Sequence, residues 1–411
     1  MSGAALTPVE EALARLLAAI PGPVDEENVP LAAAFGRTLA RDVAARRMQP
    51  PFANSAMDGY ALRAADTADA TVRLTVVGES AAGRPFSGAL KPGQAARIFT
   101  GAPLPDGADA VAMQEVVERN GEEIALSAPL APGEHVRRRG LDFDAGEILL
   151  PAGRRLTARD VALAAAADHP VLAVRRKPRV AILSSGDELA APGAGRGAAQ
   201  IVASNAFAVA GVVAAAGGEP IDLGFVADDP TALAERLAVA RAAEPDVLAT
   251  IGGASVGDHD LIRAALARAG MTLDFWRIAL RPGKPLIHGR LGATSVLGLP
   301  GNPTSATVCA VLFLRPLIRA LLGDPGAGSD PSEPARLGAP VPAVGERRDY
   351  LRARLTAGGD GETLAAPIAE QDSSLVKALA RADALLIRER GAPAAAPGEP
   401  CRIIRLAPLG A

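Results

Sequence analysis

The chain has 411 residues, of which 49% are hydrophobic and 22% charged, and its formal net charge is -3. This length exceeds what one hydrophobic core usually supports, so two to four structural units are expected. The weakly acidic balance argues against a nucleic-acid partner. Only two cysteines occur, Cys309 and Cys401, which excludes a disulfide framework and a zinc cluster. A reducing cytoplasm is therefore expected, and any metal would need oxygen ligands.

The first residues predict a helix. Glu10 and Glu11 lie where a signal peptide needs a basic start and an apolar run, so export is not expected. Thr7 and Glu10 have the spacing of a capping box, with Pro8 at the first helical position. Apolar residues then recur at helical spacing, which predicts an amphipathic helix over residues 7–20.

The middle of the chain changes from a β-like to an alternating pattern. Between residues 71 and 136, short apolar runs separated by Gly/Pro turns predict a small all-β unit. A helix is predicted at residues 157–167, with Thr157 as its N-cap. Beyond residue 178, strands alternate with helices or loops, which predicts a doubly wound, mostly parallel sheet. Its strands are predicted at residues 179–183, 220–225, 247–251 and 295–297.

An uncharged stretch at residues 291–314 is long enough to span a bilayer. Pro300 and Pro303 interrupt it, so a buried strand, a loop and a helix are predicted instead of a membrane span. A Gly/Pro/Ser/Asp-rich linker is expected at residues 323–334. After it, strands predicted at residues 350–355, 384–387 and 402–406 indicate a compact C-terminal β domain.

Three strands of the α/β region end in polar, glycine-rich loops, and ligands of open sheets bind outside such carboxyl ends. The first loop, residues 184–188, carries acids that could hold a hard cation or merely cap the next helix. The second, residues 252–260, precedes a predicted helix at 261–269 and could cradle a phosphate, with a simple turn as the alternative. The third, residues 298–305, is a proline-bounded loop that opens a helix with polar side chains.

Cations are concentrated between the second and third loops. In a strand of period two, Arg277 and Arg281 would share one face while Trp276, Ile278 and Leu280 pack the other. Lys284 follows after a Pro-Gly turn, so three cations could converge on an oxyanion. The alternative is a solvated edge strand.

Acids follow several of the same strands. If Glu188, Asp228 and Asp260 face one crevice, their repulsion would be relieved by Mg²⁺. The four histidines show no paired metal-binding motif, and no Ser-His-Asp or Cys-His arrangement can be assembled. Two other polar segments, residues 51–61 and 97–105, would be ordinary turns by local chemistry alone.

These motifs together resemble the molybdopterin molybdenumtransferase family, whose module the receptor-clustering scaffold gephyrin carries at its C-terminus. The similarity rests on Ser-Ala-Met-Asp-Gly-Tyr-Ala at 55–61, Thr-Gly-Ala at 100–102, Ser-Gly-Asp-Glu-Leu at 185–189, the second loop, Arg-Pro-Gly-Lys-Pro at 281–285, and residues 299–305. The motifs occur in family order from about residue 7 to the C-terminus.

The resemblance implies an elongated, multidomain α/β plus β chain that forms a homodimer. A helical and extended linker unit would comprise residues 1–50 and 140–177, with the 7–20 helix able to pack on the α/β domain. An inserted β domain would occupy residues 51–139. The molybdopterin-binding α/β domain would occupy residues 178–326, and a C-terminal β barrel residues 327–411.

The resemblance also implies that the enzyme binds adenylylated molybdopterin, molybdate and Mg²⁺, and releases AMP and molybdenum cofactor. Contact with other molybdenum-cofactor enzymes is expected, and neither nucleic acid nor a membrane is. The alternatives are a molybdopterin adenylyltransferase of the same α/β type and a non-catalytic, gephyrin-like scaffold.

Residue roles follow from the same resemblance. The acidic and metal-binding role falls on Glu188, Asp228 and Asp260, and the phosphate or molybdate role on Arg277, Arg281, Lys284 and Ser305. The residues expected to line the pterin-phosphate cradle are Gly252, Gly253, Ser255, Gly257, Pro300, Gly301 and Asn302. Family dimers present the positions of Asp58, Thr100 and Asp142 toward the partner's α/β domain, and Arg352, Ser373 and Ser374 are further candidates for the molybdate side.

The chain departs from the family pattern in three places. Ser185 stands where threonine is frequent, and arginines occupy positions 277 and 281 where lysines often occur, so hydroxyl and charge are retained. Asp168 and His169 replace a usual glycine-containing turn, which leaves the local linker geometry open.

Overall fold

The computed structural model describes residues 6–69, 72–195, 197–253, 261–359 and 361–411. The chain begins with α1 (Val9–Ala18), β1 (Glu26–Pro30), a 3₁₀ turn (Leu31–Ala33) and β2 (Val43–Ala44). Helix α1 starts after Pro8 without a side-chain cap, so the predicted capping box at Thr7 is wrong. Thr7 instead forms a β-bridge with Ile278, and the buried face of α1 packs on the α/β domain.

The next segment folds into a small β domain. Its strands are β3 (Asn54–Ser55), β4 (Gly59–Leu62), β5 (Val72–Ser80), β6 (Gln94–Ile98), β7 (Ala110–Met113), β8 (Val117–Asn120), β9 (Glu123–Leu126) and β10 (Val136–Arg137), with 3₁₀ turns at Ala64–Thr67 and Gln114–Val116. The main sheet has the order β7-β4-β6-β5-β9-β8. Leu62, Leu74 and Ile124 are buried in its core.

The chain then returns to the unit from which it started. Strands β11 (Ile148–Leu150) and β12 (Val171–Arg175) flank helix α2 (Ala158–Ala166) and pair with β2 and β1, respectively. The Thr157 N-cap is confirmed: its backbone N–H donates to the Asp160 carboxylate at 2.8 Å, and Asp160 N–H donates back to its hydroxyl. Asp168 has a φ of +72°, so it adopts the left-handed conformation that glycine takes most easily.

The α/β domain begins at β13 (Arg179–Ser185) and is built on one mixed sheet. Its other strands are β14 (Leu189–Ala190), β15 (Ile201–Val202), β16 (Glu219–Val226), β17 (Val247–Ile251), β18 (Thr272–Arg277), β19 (Leu280–Arg281), β20 (Pro285–Leu291) and β21 (Thr294–Leu299). Its helices are α3 (Asn205–Ala216), α4 (Pro230–Ala242), α5 (Leu261–Arg268), α6 (Pro303–Cys309) and α7 (Arg315–Leu321), with a π-helical turn at Ala310–Leu314 joining the last two.

The sheet order is β16-β13-β17-β21-β20-β18. The first four strands are parallel, as predicted, whereas β20 and β18 add an antiparallel edge. Residues of α1, α3, α6 and α7 form one apolar core cluster with sheet residues, and residues of α4 and α5 form another. The helical stretch 303–321 is apolar and long enough to cross a membrane, but 83% of its most apolar window is buried inside the protein.

One predicted strand is divided in the structure. The chain leaves the sheet after Arg277, and β19 pairs with a strand of the C-terminal domain. The prediction that Arg277 and Arg281 share one face of a single strand is therefore wrong. Pairing with a distant strand outweighs the local alternation of side chains.

The C-terminal domain is a closed barrel. Its elements are β22 (Glu333–Leu337), β23 (Arg348–Ala357), β24 (Thr363–Pro367), α8 (Val376–Ala380), β25 (Ala384–Arg388), β26 (Pro400–Arg405) and a 3₁₀ turn (Ala407–Leu409). Strands follow the order β23-β24-β22-β26-β25, and β25 pairs back onto β23, which closes the ring. Parallel pairing of β19 with β23 attaches the barrel to the α/β domain.

Candidate active site

A cleft of about 1010 Å³ lies at the carboxyl ends of β13, β17 and β21. Residues from all three predicted loops line it, together with the segment 281–285 and the barrel residues 371–374. The cleft is therefore where an open parallel sheet binds its ligand. Because the barrel supplies part of the wall, the site combines residues about 190 positions apart, from Ser184 to Ser374.

Glycines bring the first and second loops together. Gly252 has a φ of +92°, and a Cβ there would lie 2.5 Å from the Ser185 carbonyl oxygen. Gly253 has a φ of +60°, and a Cβ there would lie 2.7 Å from the Ile262 side chain. Both positions line the cleft and admit only glycine without a shift of neighbouring atoms. Ser255 and Gly257, the other predicted positions of this loop, lie outside the described residues.

Two of the three predicted metal-binding acids line the cleft. Glu188 and Asp228 are exposed within it, and Asp187 accepts the Asp228 N–H at 3.0 Å. The alternative that Asp187 or Glu188 caps the next helix is wrong, because strand β14 follows this loop. Asp229 does cap α4, through the backbone N–H groups of its first turn. The third acid, Asp260, lies outside the described residues.

Two of the three predicted cations line the same cleft. Arg281 is exposed and forms an ion pair with the buried Asp349 of the barrel, so part of its charge is already neutralised. Lys284 is half-buried and forms no ion pair with any described residue. Arg277 is not among the cleft-lining residues, and its guanidinium lies 3.9 Å from the centre of the Trp276 ring. Of the predicted cations, Lys284 is therefore the most available to an anionic ligand, and Arg347 of the barrel adds a further unpaired cation to the described lining.

The third loop is fixed by contacts from both sides. Asn205, at the start of α3, donates to the Gly301 carbonyl oxygen at 2.6 Å. Asn302 donates to the Ser373 hydroxyl at 2.9 Å, and Thr304 N–H donates to the Ser373 carbonyl oxygen at 3.0 Å. Pro300, Gly301, Asn302 and Ser305 line the cleft, as do Ser373 and Ser374. The barrel loop is thus hydrogen-bonded directly to the loop that it faces.

Arg352 acts behind the cleft wall. It is only 1% exposed, and it does not line the cleft. Its guanidinium donates to the Thr304 hydroxyl at 3.2 Å, to the Glu370 carbonyl oxygen at 3.0 Å, and over 3.4 Å to Leu375 and Gln371. Burial lowers the pKa of Arg352, and all of these acceptors are neutral. Arg352 therefore acts as a clamp, because its hydrogen bonds join the third loop to the barrel loop.

The predicted residues of the β domain and linker lie away from the cleft of their own chain. Asp58 accepts the Thr100 backbone N–H at 2.7 Å and its hydroxyl at 2.8 Å, and these bonds lower the pKa of Asp58. Asp142 is exposed in the linker unit. None of these residues lines the cleft. Exposed apolar side chains accompany them, namely Phe52, Met57 and Leu141.

Sequence reasoning missed several cleft residues. Asn205 and Arg347 line the wall, but neither belongs to a recognisable local motif. Gln371 and Asp372 come from a turn in which Asp372 accepts both the backbone N–H and the hydroxyl of Ser374. An Asp-Ser-Ser sequence is a signal for such a turn, though not for its place in a cleft. The Ser185 hydroxyl also lines the cleft, buried and without a hydrogen-bond partner among the described residues.

Comparison with known proteins identifies related sequences along the chain. Residues 7–167 match the MoeA N-terminal region (domain I and II). Residues 181–320 match the probable molybdopterin binding domain, and residues 334–406 the MoeA C-terminal region (domain IV).

Relatives that align with most of this chain indicate the same family. A molybdopterin molybdenumtransferase from Nostoc is 43% identical over 306 residues, which cover 73% of this chain and 70% of that protein. One from Haemophilus influenzae is 33% identical over 383 residues, covering 93% and 94% of the two chains. The crystal structure of a molybdopterin biosynthesis MoeA protein from Pyrococcus horikosii superposes with a TM-score of 0.83 at 34% identity, covering 98% of this chain and 99% of that one. The chain therefore belongs to the molybdopterin molybdenumtransferase family of transferase enzymes.

Proposed function

We propose that this protein inserts molybdenum from molybdate into adenylylated molybdopterin, in a Mg²⁺-dependent reaction that releases AMP and molybdenum cofactor. Family membership supports the reaction class. The observation that carries the proposal is the cleft itself, in which a glycine-rich cradle, the carboxylates of Glu188 and Asp228 and the cations Arg281 and Lys284 meet at one edge of one sheet, with Arg347 and Asp372 in the barrel wall. Such a set suits a phosphorylated, multiply charged ligand.

The cradle and the cations would bind the anionic parts of the substrates. Left-handed backbone at Gly252 and Gly253 shapes the cradle. The Gly252 N–H donates to the Leu299 carbonyl oxygen at 3.2 Å, so the Gly253 N–H is the one that would bind a phosphate. Arg281 and Lys284 would hold an oxyanion, Lys284 without a competing ion pair in the described part of the chain. Ser305 and Asn302 add polar groups at the start of α6. In phosphoryl chemistry of this kind, positioning and charge compensation supply most of the rate.

The acids fit a hard divalent cation. Mg²⁺ usually binds through one or two carboxylates together with waters and substrate phosphates. Glu188 and Asp228 supply two carboxylates, and neither forms an ion pair with a described cation. Among the described residues no group of three or more His, Cys, Asp or Glu side chains surrounds one point, so substrate oxygens would complete the coordination. Mg²⁺ held there, with Asp260 as the third proposed ligand, would neutralise the pyrophosphate charge.

A second copy of the chain would complete the site. We propose a homodimer in which Asp58, Thr100 and Asp142 reach the partner's cleft. None of these three residues lines the cleft of its own chain, which supports this arrangement. The exposed apolar side chains of Phe52 and Met57, near Asp58 in the sequence, also support it. The free thiols of both cysteines are compatible with the expected cytoplasmic location, where an acceptor enzyme would collect the product.

Turnover of purified protein tests the proposal against its rivals. With adenylylated molybdopterin and Mg²⁺, AMP should be released only when molybdate is present. An adenylyltransferase would instead consume ATP when given metal-free molybdopterin. A non-catalytic scaffold would release no AMP under either condition, and either of these outcomes would refute the proposed reaction.

A further inference from the structure

A second, smaller pocket lies between the linker unit and the α/β domain. It has a volume of about 200 Å³. The linker unit contributes residues 35–38 and Arg155, which are held together by a β-bridge between Thr38 and Arg155. Lys177, the last residue of the linker unit, also lines the pocket, and the α/β domain contributes Leu322 and the end of α3. None of its lining residues belongs to the active-site cleft.

The lining of this pocket is positively charged. Arg37, Arg155 and Lys177 line it, and no carboxylate does so among the described residues. Arg37 is paired with Glu27 and also donates to the Arg175 carbonyl oxygen at 2.8 Å. The Lys177 ammonium has no ion pair or hydrogen bond to a described residue. One cation of the pocket is thus uncompensated.

Arg155 extends the positive charge toward α7. Its guanidinium donates to the Gly36 carbonyl oxygen at 3.1 Å and to the Ala215 carbonyl oxygen at 2.7 Å, both neutral acceptors. Burial, together with repulsion by Arg319, lowers the pKa of Arg155. The same two causes lower the pKa of Arg315, which also lies close enough to be repelled by Arg155. These shifts report a locally positive potential at the junction of the two units.

The nearby acid does not balance this charge. Asp324 is the one carboxylate among the described residues that raises the pKa of Arg155 or Arg315, and it is already paired with Arg319. Arg315 itself forms no ion pair or hydrogen bond with a described residue. Arg315 is half-buried, whereas Arg155 and Lys177 are exposed, and the combined charge of these cations would attract a bound anion.

We propose that this inter-domain pocket binds a small phosphate-type dianion, with Lys177 and Arg155 as its direct contacts and Arg315 as a nearby source of positive charge. Inorganic phosphate and the phosphate of a monoester share this chemistry. The exposed Phe35 ring, which also lines the pocket, offers a surface for the organic group of a monoester. Binding would tie the linker unit to the α/β domain and would stabilise their packing.

Calorimetric titration with inorganic phosphate, at constant ionic strength, tests this site separately from the cleft. In Lys284→Gln, which removes a cleft cation, a phosphate-binding component should remain. Adding Lys177→Gln to that background should weaken the component about tenfold or more, as expected for loss of one charge-assisted contact. Arg315→Gln should weaken it less, and Arg119→Gln, which removes an exposed arginine from the β8–β9 hairpin, should leave it unchanged.

A parallel titration with AMP distinguishes the two ligand sources. Because AMP is also expected to bind the cleft, only the component that Lys177→Gln weakens is compared. In that component, tighter binding of AMP than of phosphate would indicate a monoester, and equal binding would indicate the inorganic anion; both support the site. The proposal is overturned if no phosphate binding survives Lys284→Gln, or if Lys177→Gln and Arg119→Gln behave alike. Because the assay measures binding and not turnover, either result is independent of the proposed reaction.

Discussion

The buried Arg352 guanidinium should be essential for holding the barrel loop against the active-site cleft. Arg352→Met would remove donors from three carbonyl or hydroxyl acceptors, on Thr304, Glu370 and Leu375, and from the Gln371 amide oxygen. The methionine side chain fills part of the space but offers no donor. Hydrogen bonds from a charged donor are worth roughly 1.5–3 kcal/mol each, but water can replace some of them in the variant.

We expect Arg352→Met to lower the free energy of unfolding by about 2–4 kcal/mol, because a buried neutral acceptor that loses its donor costs about 1–3 kcal/mol and water replaces only some of the lost bonds. Arg354→Met is the matched control. Arg354 lies two residues further along β23 and is exposed, and its ion pair with Asp383 should contribute less than about 1 kcal/mol.

Urea denaturation followed by far-UV circular dichroism measures the stability change. Hydrogen exchange of the 368–375 segment reports whether the loop still contacts α6, and it should become faster in Arg352→Met alone. Equal stability of the two variants, with unchanged exchange at 368–375, would refute the clamp. The variant Arg352→Lys should recover little of the lost stability, because an ammonium cannot reach the same set of acceptors.

Four further predictions concern the cleft, its metal, the edge of the sheet and a helix cap. Lys284→Gln should cut molybdate-dependent AMP release at least tenfold. The circular dichroism spectrum and melting temperature of the variant should stay near those of the parent. Unaltered turnover would contradict the proposed role of Lys284. Removal of Mg²⁺ with a chelator should abolish AMP release, and re-addition of Mg²⁺ should restore it. Full activity in the presence of chelator would exclude a metal at Glu188 and Asp228. His288 is 1% exposed, and burial lowers its pKa despite the opposing hydrogen bond that it donates to the Asp274 carboxylate. The unfolded state therefore takes up a proton more readily, and stability should fall as pH drops through about 6.5. His288→Gln should flatten this dependence between pH 7 and pH 5.5 in urea titrations, and an unaltered slope would show that other groups cause it. Thr157→Ala should cost about 1 kcal/mol by loss of the α2 cap, and no measurable change would mean that the capping box contributes little.

The parallel part of the α/β sheet was predictable because its strands are short apolar runs bounded by glycine-rich turns. Strand β17, for example, is buried along its whole length and ends directly at Gly252. The course of the chain after β18 was not predictable in the same way. Leu280 and Arg281 continue the local alternation of β18, yet they pair with Arg348 and Asp349 of the barrel. Such a contact joins residues nearly 70 positions apart and leaves no periodic trace in either segment.

The candidate site was predictable to the extent that its residues follow strands. Glu188, Asp228 and the loop glycines do so, and the cleft gathers them at one edge. Tertiary packing brings Asn205, Gln371 and Arg352 to the site or its wall. The sequence around each of these residues therefore carries no motif that indicates this position. The capping box predicted at Thr7 does not form, for the opposite reason. The local sequence favours it, but Thr7 forms a β-bridge with Ile278 instead.

A crystal structure of the protein with AMP, Mg²⁺ and molybdate tests the central claim most directly. The account predicts the AMP phosphate against Gly252 and Gly253, the metal beside Glu188 and Asp228, and molybdate within reach of Lys284. A phosphate bound outside this cleft, with these side chains contacting no ligand, would contradict the account.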